Sequence, residues 1–265
     1  MIKLENYETM GWEHAIRGMR NPMNSWEKSD THMCHLNECD HCDNYRATGP
    51  HGFCKMPFII GPNDLDLMKR LRNAGTDHRK FMRQIVVYVD ITAPLYWWKE
   101  FDTYKVGTTA NSCSTMHKLT EKPFEWSDFS FELLMEDPNG ENSDTPLIIS
   151  PHDRDRALDP ANIGALTIHM LNACRQSYLT ACERLKLKHW TDAERKHIEA
   201  QKELFWYQMI QLLNTSYNQK RTVCMNYEVL ANQYKSRKNH KLREWRKFCE
   251  WIKTLPYSEL ITGEE

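Results

Sequence analysis

The sequence predicts an α/β fold: a small central sheet flanked by long helices, with a Cys-rich insertion. Three observations carry this. Ile85–Ile91 (IVVYVDI) is a β-branched run, too short for a buried helix, and is expected as a strand buried on both faces. Apolar residues recur at helical spacing over long stretches after Pro160 and after Thr191. At 265 residues the chain can bury a large core as one elaborated domain, so folding needs no disulfide staples.

Taken in order, Ile2–Tyr7 reads as a short strand and Gly11–Met19 as a short helix carrying Trp12, Ala15, Ile16 and Met19 on one face. Arg20–Trp26 then breaks the helix with an Arg, two Asn and a Ser between apolar anchors, a turn compatible with anion binding. Asn63-Asp64 is expected to cap a helix through Leu65, Met68 and Leu71 that ends at Asn73-Ala74-Gly75. Thr76–Arg83 links that helix to the central strand. Thr92 is the expected cap of the next helix, with Pro94 near its first turn and Leu95, Trp97, Trp98 and Phe101 along it. From Lys105 to Thr115 a loop rich in Gly, Thr, Ser and Asn offers many donors and a cation without bulk, a surface suited to a phosphorylated planar ligand or simply to a turn. Phe124–Leu134 is a short strand or helix, and Asp137–Asp144 a polar loop. Thr191 and Glu194 form a capping box for a helix carrying Ile198, Phe205, Met209 and Leu212. A final helix presents Leu242, Trp245, Phe248, Cys249 and Ile252 on one face.

The net charge of −1 argues against a generally nucleic-acid-binding or membrane-surface protein. No apolar run approaches the roughly 18 residues of a membrane span, and MIKLENYETMGWEHAIRGMR lacks a signal-peptide apolar region, so a cytoplasmic location is expected. Nine cysteines then read as reduced thiols or metal ligands. Cys34, Cys39, Cys42 and Cys54, with His32, His35, His41 and His51 interleaved, offer four soft ligands to one structural Zn²⁺ within an insertion at 30–56; a [4Fe–4S] cluster is the alternative, and buried or free thiols a third. Lys220–Lys253 holds ten Lys/Arg against three acids. That basic end supports a rival reading, a zinc-stabilised helical nucleic-acid-binding module.

Several of these segments, in one order, resemble the flavin-dependent thymidylate synthases. Asp77-His78 is similar to the family's Gly-His turn, Ala93-Pro94-Leu95-Tyr96 to its helix start, and Lys99-Glu100-Phe101 to its Arg-Gln-Trp. Thr103–Thr108 falls on the signature Arg-His-Arg-x-x-Ser, and with one inserted residue Asn111 and Ser114 fall on the loop that follows. Arg20–Trp26 is similar to the short Arg-x-Ser-(Phe/Trp) segment, which places Ser25 on a flavin-contacting serine. Asn226, Asn232 and Arg237 lie in register with the family's Asn-x-Arg helix.

The resemblance implies a single domain over 1–265 with a helical elaboration at 118–200, a homotetramer with composite sites, and transfer of a one-carbon unit from methylenetetrahydrofolate to C5 of dUMP, with FAD reduced by NADPH. It implies Arg237 and Tyr104 as catalytic residues. Ser25, His78, Lys80, Lys105, Asn111, Asn226 and Asn232 would contact FAD. Lys99, Glu100, Thr103, Ser112, Ser114, Arg221 and Arg237 would contact the nucleotide. The chain departs from the pattern where Thr103-Tyr104-Lys105 replaces Arg-His-Arg, Ser112 and Met116 replace the loop's Glu and Arg, and Glu228 replaces an Arg. Guanidiniums lost there are bidentate phosphate donors that Thr or Met cannot replace, though Lys99, Lys105 and Arg221 return positive charge. A flavin or nucleotide protein with an altered pyrimidine substrate is therefore the nearest alternative.

Overall fold

The computed structural model describes residues 2–33, 58–115, 118–134 and 160–264. The strands are β1 (Lys3–Met10), β2 (His32–Met33), β3 (Phe58–Ile59), β4 (Val86–Pro94), β5 (Thr108–Ser112) and β6 (Asn218–Asn226). The helices are α1 (Trp12–Arg20), α2 (Pro62–Asn73), α3 (Leu95–Phe101), α4 (Pro160–Lys186), α5 (Asp192–Leu212), α6 (Tyr227–Arg237), α7 (Arg243–Lys253) and α8 (Glu259–Thr262). The chain divides into two compact units, one of Thr92–Lys99 and Ser112–Lys220, the other of Ile2–Ile91, Glu100–Asn111 and Arg221–Glu265.

The second unit holds most of a four-stranded sheet in the order β1-β4-β6-β5. Its pairing is antiparallel. Tyr227 donates its N–H to the Ile85 carbonyl, five residues before the point where Thr222 Oγ1 meets Asp90. The strand expected to be buried on both faces is buried on one: Val87, Val89 and Ile91 are sealed, whereas Tyr88 is 41% exposed. Antiparallel pairing explains the difference, because such a sheet can leave one face to solvent. On that face Asp90 accepts from Asn6 Nδ2 (3.1 Å) and Thr222 Oγ1 (2.7 Å), a polar ladder across three strands.

Apolar burial fixes the helices on the other face. α1 buries Trp12, Ala15, Ile16 and Met19, as its spacing predicts, and Trp12 meets Tyr227 edge-on at 5.0 Å. α7 buries Trp245, Phe248, Cys249, Trp251 and Ile252; Trp245 stacks on Phe101 and Phe248 meets it edge-on. Burial pushes the Cys249 thiol up to about 12, so it is packing rather than a nucleophile.

Three local details differ from the sequence reading. α2 starts at Pro62 after Gly61, and the Asp30 carboxylate, brought from afar, accepts from the N–H groups of Asn63 (2.8 Å) and Asp64 (3.0 Å) in place of the expected Asn63-Asp64 cap. Thr92 does not cap α3: β4 continues to Pro94, and the first amides of α3 donate to the carbonyls of Tyr217 and Thr215. The loop after Lys105 becomes edge strand β5, entered through Gly107 at φ +75°, where an added Cβ would lie 2.8 Å from Asn226 Nδ2.

In the first unit α4 and α5 form a helical hairpin. Its core joins Leu119, Phe124, Phe129 and Phe131 to Leu171, Cys174 and Met209. Thr191 and Glu194 make the expected reciprocal capping box of α5. Phe124–Leu134 resolves into two short 3-10 turns, Trp126–Asp128 and Glu132–Leu134. No helix among the described residues is long and apolar enough to cross a membrane.

Candidate functional site

Helix α6 organises the site because the chain enters it directly from β6. Asn226 ends the strand in an extended conformation and turns its side-chain oxygen onto the Val229 N–H at 3.0 Å, an N-cap. One part of the helix carries Arg237, and another carries Glu228, Asn232 and Lys235, spaced to share a face.

Arg237 meets the turn that ends α3. Its Nη1 donates to Glu100 Oε2 at 2.6 Å, and its Nε donates to the Tyr104 hydroxyl oxygen at 3.0 Å. The guanidinium carbon lies 4.8 Å from the Trp245 ring centroid and 5.6 Å from that of Tyr104. Trp245 Nε1 donates to the same Glu100 oxygen at 3.0 Å, and His240 Nε2 stands 3.4 Å from it. One carboxylate thus orients one guanidinium, whose Nη2 has no acceptor among the described residues. The Tyr104 oxygen accepts from Arg237, which leaves its own proton available to a ligand acceptor. Thr103 Oγ1 donates to the Glu100 carbonyl at 2.7 Å, and Arg221 Nη1 to Asp102 Oδ1 at 2.7 Å. The structure therefore gathers Glu100, Thr103, Tyr104 and Arg237, with Arg221 held to the same turn through Asp102.

The Glu228–Asn232 side of α6 meets the 3-10 turn Arg79–Arg83. Arg79 Nε donates to Glu228 Oε1 (3.1 Å) and its Nη2 to Asn232 Oδ1 (3.3 Å); Arg83 bonds both oxygens of Glu228. Burial pushes the Glu228 carboxyl up, but the hydrogen bonds and charges of Arg83 and Arg79 outweigh it and hold the pKa below the ordinary value. Beside this pair opens a cavity of about 400 Å³, lined by Arg72, Arg79, Lys235 and Lys238, with Asn232 and the apolar Ile261 among its walls. Arg72 is fixed by the carbonyls of Leu260 (3.2 Å) and Ile261 (3.3 Å). Burial, then the positive charge of Arg79, lowers its pKa. Two guanidiniums that repel one another at a cavity wall are a site that an anion would relieve. Besides Glu228 on Arg79, a counter-charge is present in Glu264, which Lys238 Nζ approaches at 3.2 Å and to which Tyr234 OH donates at 3.0 Å.

The other expected site residues are placed as follows. Asn232 lines the cavity; His78 and Lys80 are exposed beside and within the 3-10 turn. Ser25 lies in the Arg20–Trp26 turn, where its carbonyl accepts from Arg20 Nη1 at 3.2 Å. Lys99 is exposed on the last turn of α3 and Lys105 before β5. Asn111 and Ser112 are exposed on β5; Ser114, beyond it, is half-buried. Cys34, Cys39, Cys42 and Cys54 lie outside the described residues, among which no cluster of metal-ligating side chains occurs. Arg72, Arg79, Lys238, His240 and Glu264 were not anticipated from the sequence. The available signal was the spacing of Glu228, Asn232 and Lys235 on α6 against the Arg79–Arg83 basic run.

No family model matches the chain, and no curated protein matches it by sequence. Among solved structures, thymidylate synthase X (ThyX) from Helicobacter pylori, with FAD and dUMP, is similar at a TM-score of 0.52 and 16% identity, covering 99% of this chain and 97% of that one. A second structure of the same flavin-dependent thymidylate synthase, also with FAD and dUMP, gives a TM-score of 0.51 at 16% identity, covering 99% of this chain and 98% of that one. The chain therefore has the fold of the flavin-dependent thymidylate synthases, as its motifs implied.

Proposed function

We propose that this protein is a flavin-dependent enzyme of the thymidylate synthase type, moving a one-carbon unit from methylenetetrahydrofolate to C5 of a uracil nucleotide such as dUMP, with FAD reduced by NADPH. The observation that carries the reading is the basic cavity on α6, where Asn232 and four cations converge in a chain whose fold is that of enzymes solved with FAD and dUMP. Its volume is in the range of ligand pockets, and its donor set fits the phosphate-bearing part of FAD: Arg72, Arg79, Lys235 and Lys238 for the phosphate oxygens, Asn232 for a polar edge, Ile261 for an apolar one. When bound, FAD supplies the hydride chemistry.

The chain's own residues bind and orient. Glu100 and Tyr104 hold the Arg237 guanidinium so that Nη2 can donate to a pyrimidine carbonyl and stabilise negative charge developing on the ring. The Tyr104 hydroxyl can donate its proton to a second acceptor. Exposed Ile163, Leu166 and Met170 share one face of α4 and support self-association, in keeping with the homotetramer the family resemblance implies.

A second reading, a flavin protein with an altered pyrimidine substrate, is favoured by one feature: Glu228 stands where the family has an Arg and takes two guanidiniums to itself.

Purified protein is tested by its absorbance before and after FAD addition, followed by tritium release from C5-labelled dUMP. Flavin bands that stay with the protein through gel filtration, weakened in Lys235→Gln/Lys238→Gln, are expected. Retained flavin without release from dUMP would favour the altered-substrate reading. Colourless protein that cannot be reconstituted would overturn the enzyme assignment.

A further inference from the structure

A second cavity, of about 340 Å³, shares no lining residue with the basic one. Glu13, Ile16, Arg17, Arg20, Trp26 and His32 contribute to it. Arg20 is its most unusual wall, because a guanidinium in a residue only 4% exposed still borders open space. Two of its nitrogens are committed: Nε to Asp64 Oδ1 at 2.6 Å and Nη1 to the Ser25 carbonyl at 3.2 Å. Nη2 has no acceptor among the described residues, and the residue lines the cavity.

The orientation is fixed from behind. Asp64, fully buried, also accepts from Ser29 Oγ (2.6 Å), Thr31 Oγ1 (2.7 Å) and the N–H groups of Thr31 (3.1 Å) and Asp30 (3.2 Å). The two hydroxyls that line the cavity with Arg20 therefore point their protons at Asp64 rather than at a ligand. Trp26 is 49% exposed, and its Nε1 donates to Asn21 Oδ1 at 2.8 Å, which sets the indole as a wall. Arg17 is exposed, with Nη2 donating to His14 Nδ1 at 3.1 Å.

Charge decides the ligand class. Asp64 cancels Arg20, and Glu13 offsets Arg17, so the cavity lacks the excess of cations found beside α6 and is poorly matched to a phosphate dianion. It offers one pre-oriented buried donor, one exposed cation and an aromatic face beside Ile16. We propose that this cavity binds a planar aromatic carboxylate, the carboxylate on Arg20 Nη2 and Arg17 and the ring against Trp26 and Ile16. The cavity borders the Arg20–Trp26 turn that carries Ser25, the serine the resemblance places on flavin, and the test itself needs no FAD.

The full-length protein is titrated with 4-aminobenzoate, with benzamide and phenyl phosphate as comparisons. The readout is the Trp26 indole N–H resonance, assigned by its loss in Trp26→Phe. A saturable shift with 4-aminobenzoate, weakened about tenfold in Arg17→Gln, is expected from loss of one charge-assisted contact. Three results would overturn the proposal: no saturable shift up to the solubility limit, equal or tighter binding of benzamide or phenyl phosphate, or unchanged affinity in Arg17→Gln. Because Arg17 is exposed, that variant leaves the buried Arg20–Asp64 pair intact.

Discussion

Replacing Glu228 tests whether the charge arrangement on α6 is a unit. Its side chain is 12% exposed and accepts from Arg79, itself 22% exposed, and from Arg83, 45% exposed. A hydrogen bond to a charged group contributes about 1.5–3 kcal/mol, and the contact to Arg83 must be discounted toward the surface value of about 0–1 kcal/mol. Glu228→Gln keeps the shape and one acceptor, so the expected loss is about 1–3 kcal/mol at pH 7. Glu228→Arg places a third guanidinium against two others and should cost about 3–5 kcal/mol, the range for an uncompensated charge in a partly buried site. Urea denaturation of the three proteins at pH 7 measures both. The pH dependence has a definite sign. The folded carboxyl lies below its unfolded value near 4.3, so its stabilisation is present above that value and lost as pH falls through the folded pKa. The wild-type advantage over Glu228→Gln should therefore be full at pH 7 and shrink below about pH 4. A Glu228→Gln loss under about 0.5 kcal/mol at pH 7, or one unchanged into acid, would refute the idea that the pair is a coupled charge unit.

Other consequences follow from the same geometry. Asp64→Ala strands Arg20 as a buried, unpaired charge and should cost about 3–5 kcal/mol in chemical denaturation. Burial raises the Asp64 pKa, but donors from Ser29, Thr31 and Arg20 bring it below the ordinary carboxylate value, so this contribution too is present above the unfolded value and lost as pH falls through the folded pKa. Tyr104→Phe removes the hydroxyl from Arg237 Nε and should lower tritium release about tenfold, with a stability loss of about 1–3 kcal/mol for a part-buried hydrogen bond to a charged group; equal turnover in the variant would remove Tyr104 from the site. Thr191→Ala breaks the capping box of α5 and should cost about 1 kcal/mol, read as faster hydrogen exchange in the first turn of that helix.

What was legible in the sequence was set by how local its cause is. Thr191 and Glu194 are three residues apart and need no tertiary partner, so the start of α5 was readable directly. Spacing likewise located α1 and α7, whose buried faces are the predicted ones. The start of α2 was not readable, because its capping carboxylate is Asp30, more than thirty residues upstream. Nor was the start of α3, where residues 215 and 217 supply the acceptors. The one-sided burial of β4 also escaped, since Ile85–Ile91 does not alternate cleanly in hydrophobicity and only its antiparallel partners decide which face is sealed. Of the candidate site, Arg237, Tyr104 and Glu100 were named individually, but their meeting depends on a turn at the end of one helix reaching the end of another.

The same reasoning explains how the cation inventory can survive a degenerate signature. Phosphate recognition depends on where guanidinium and ammonium groups converge in space, and sequence position matters only through the fold. At α6 the helix has an acid where the family has an Arg, yet Arg79 and Arg83 arrive from the preceding 3-10 turn to meet it. Arg72 arrives from α2, while Lys235 and Lys238 come from α6 and the residue just past its end. Glu228 offsets one of the two charges of Arg79 and Arg83, and Glu264 that of Lys238, so the cluster keeps a net excess of cations, with Arg72 and Lys235 lining the cavity. That excess in a partly enclosed space suits an anion, and Glu264 on its exposed side chain is the group such a ligand would compete with for Lys238. A cluster of cations assembled from three segments of the chain is thus compatible with a stretch that only resembles the family signature.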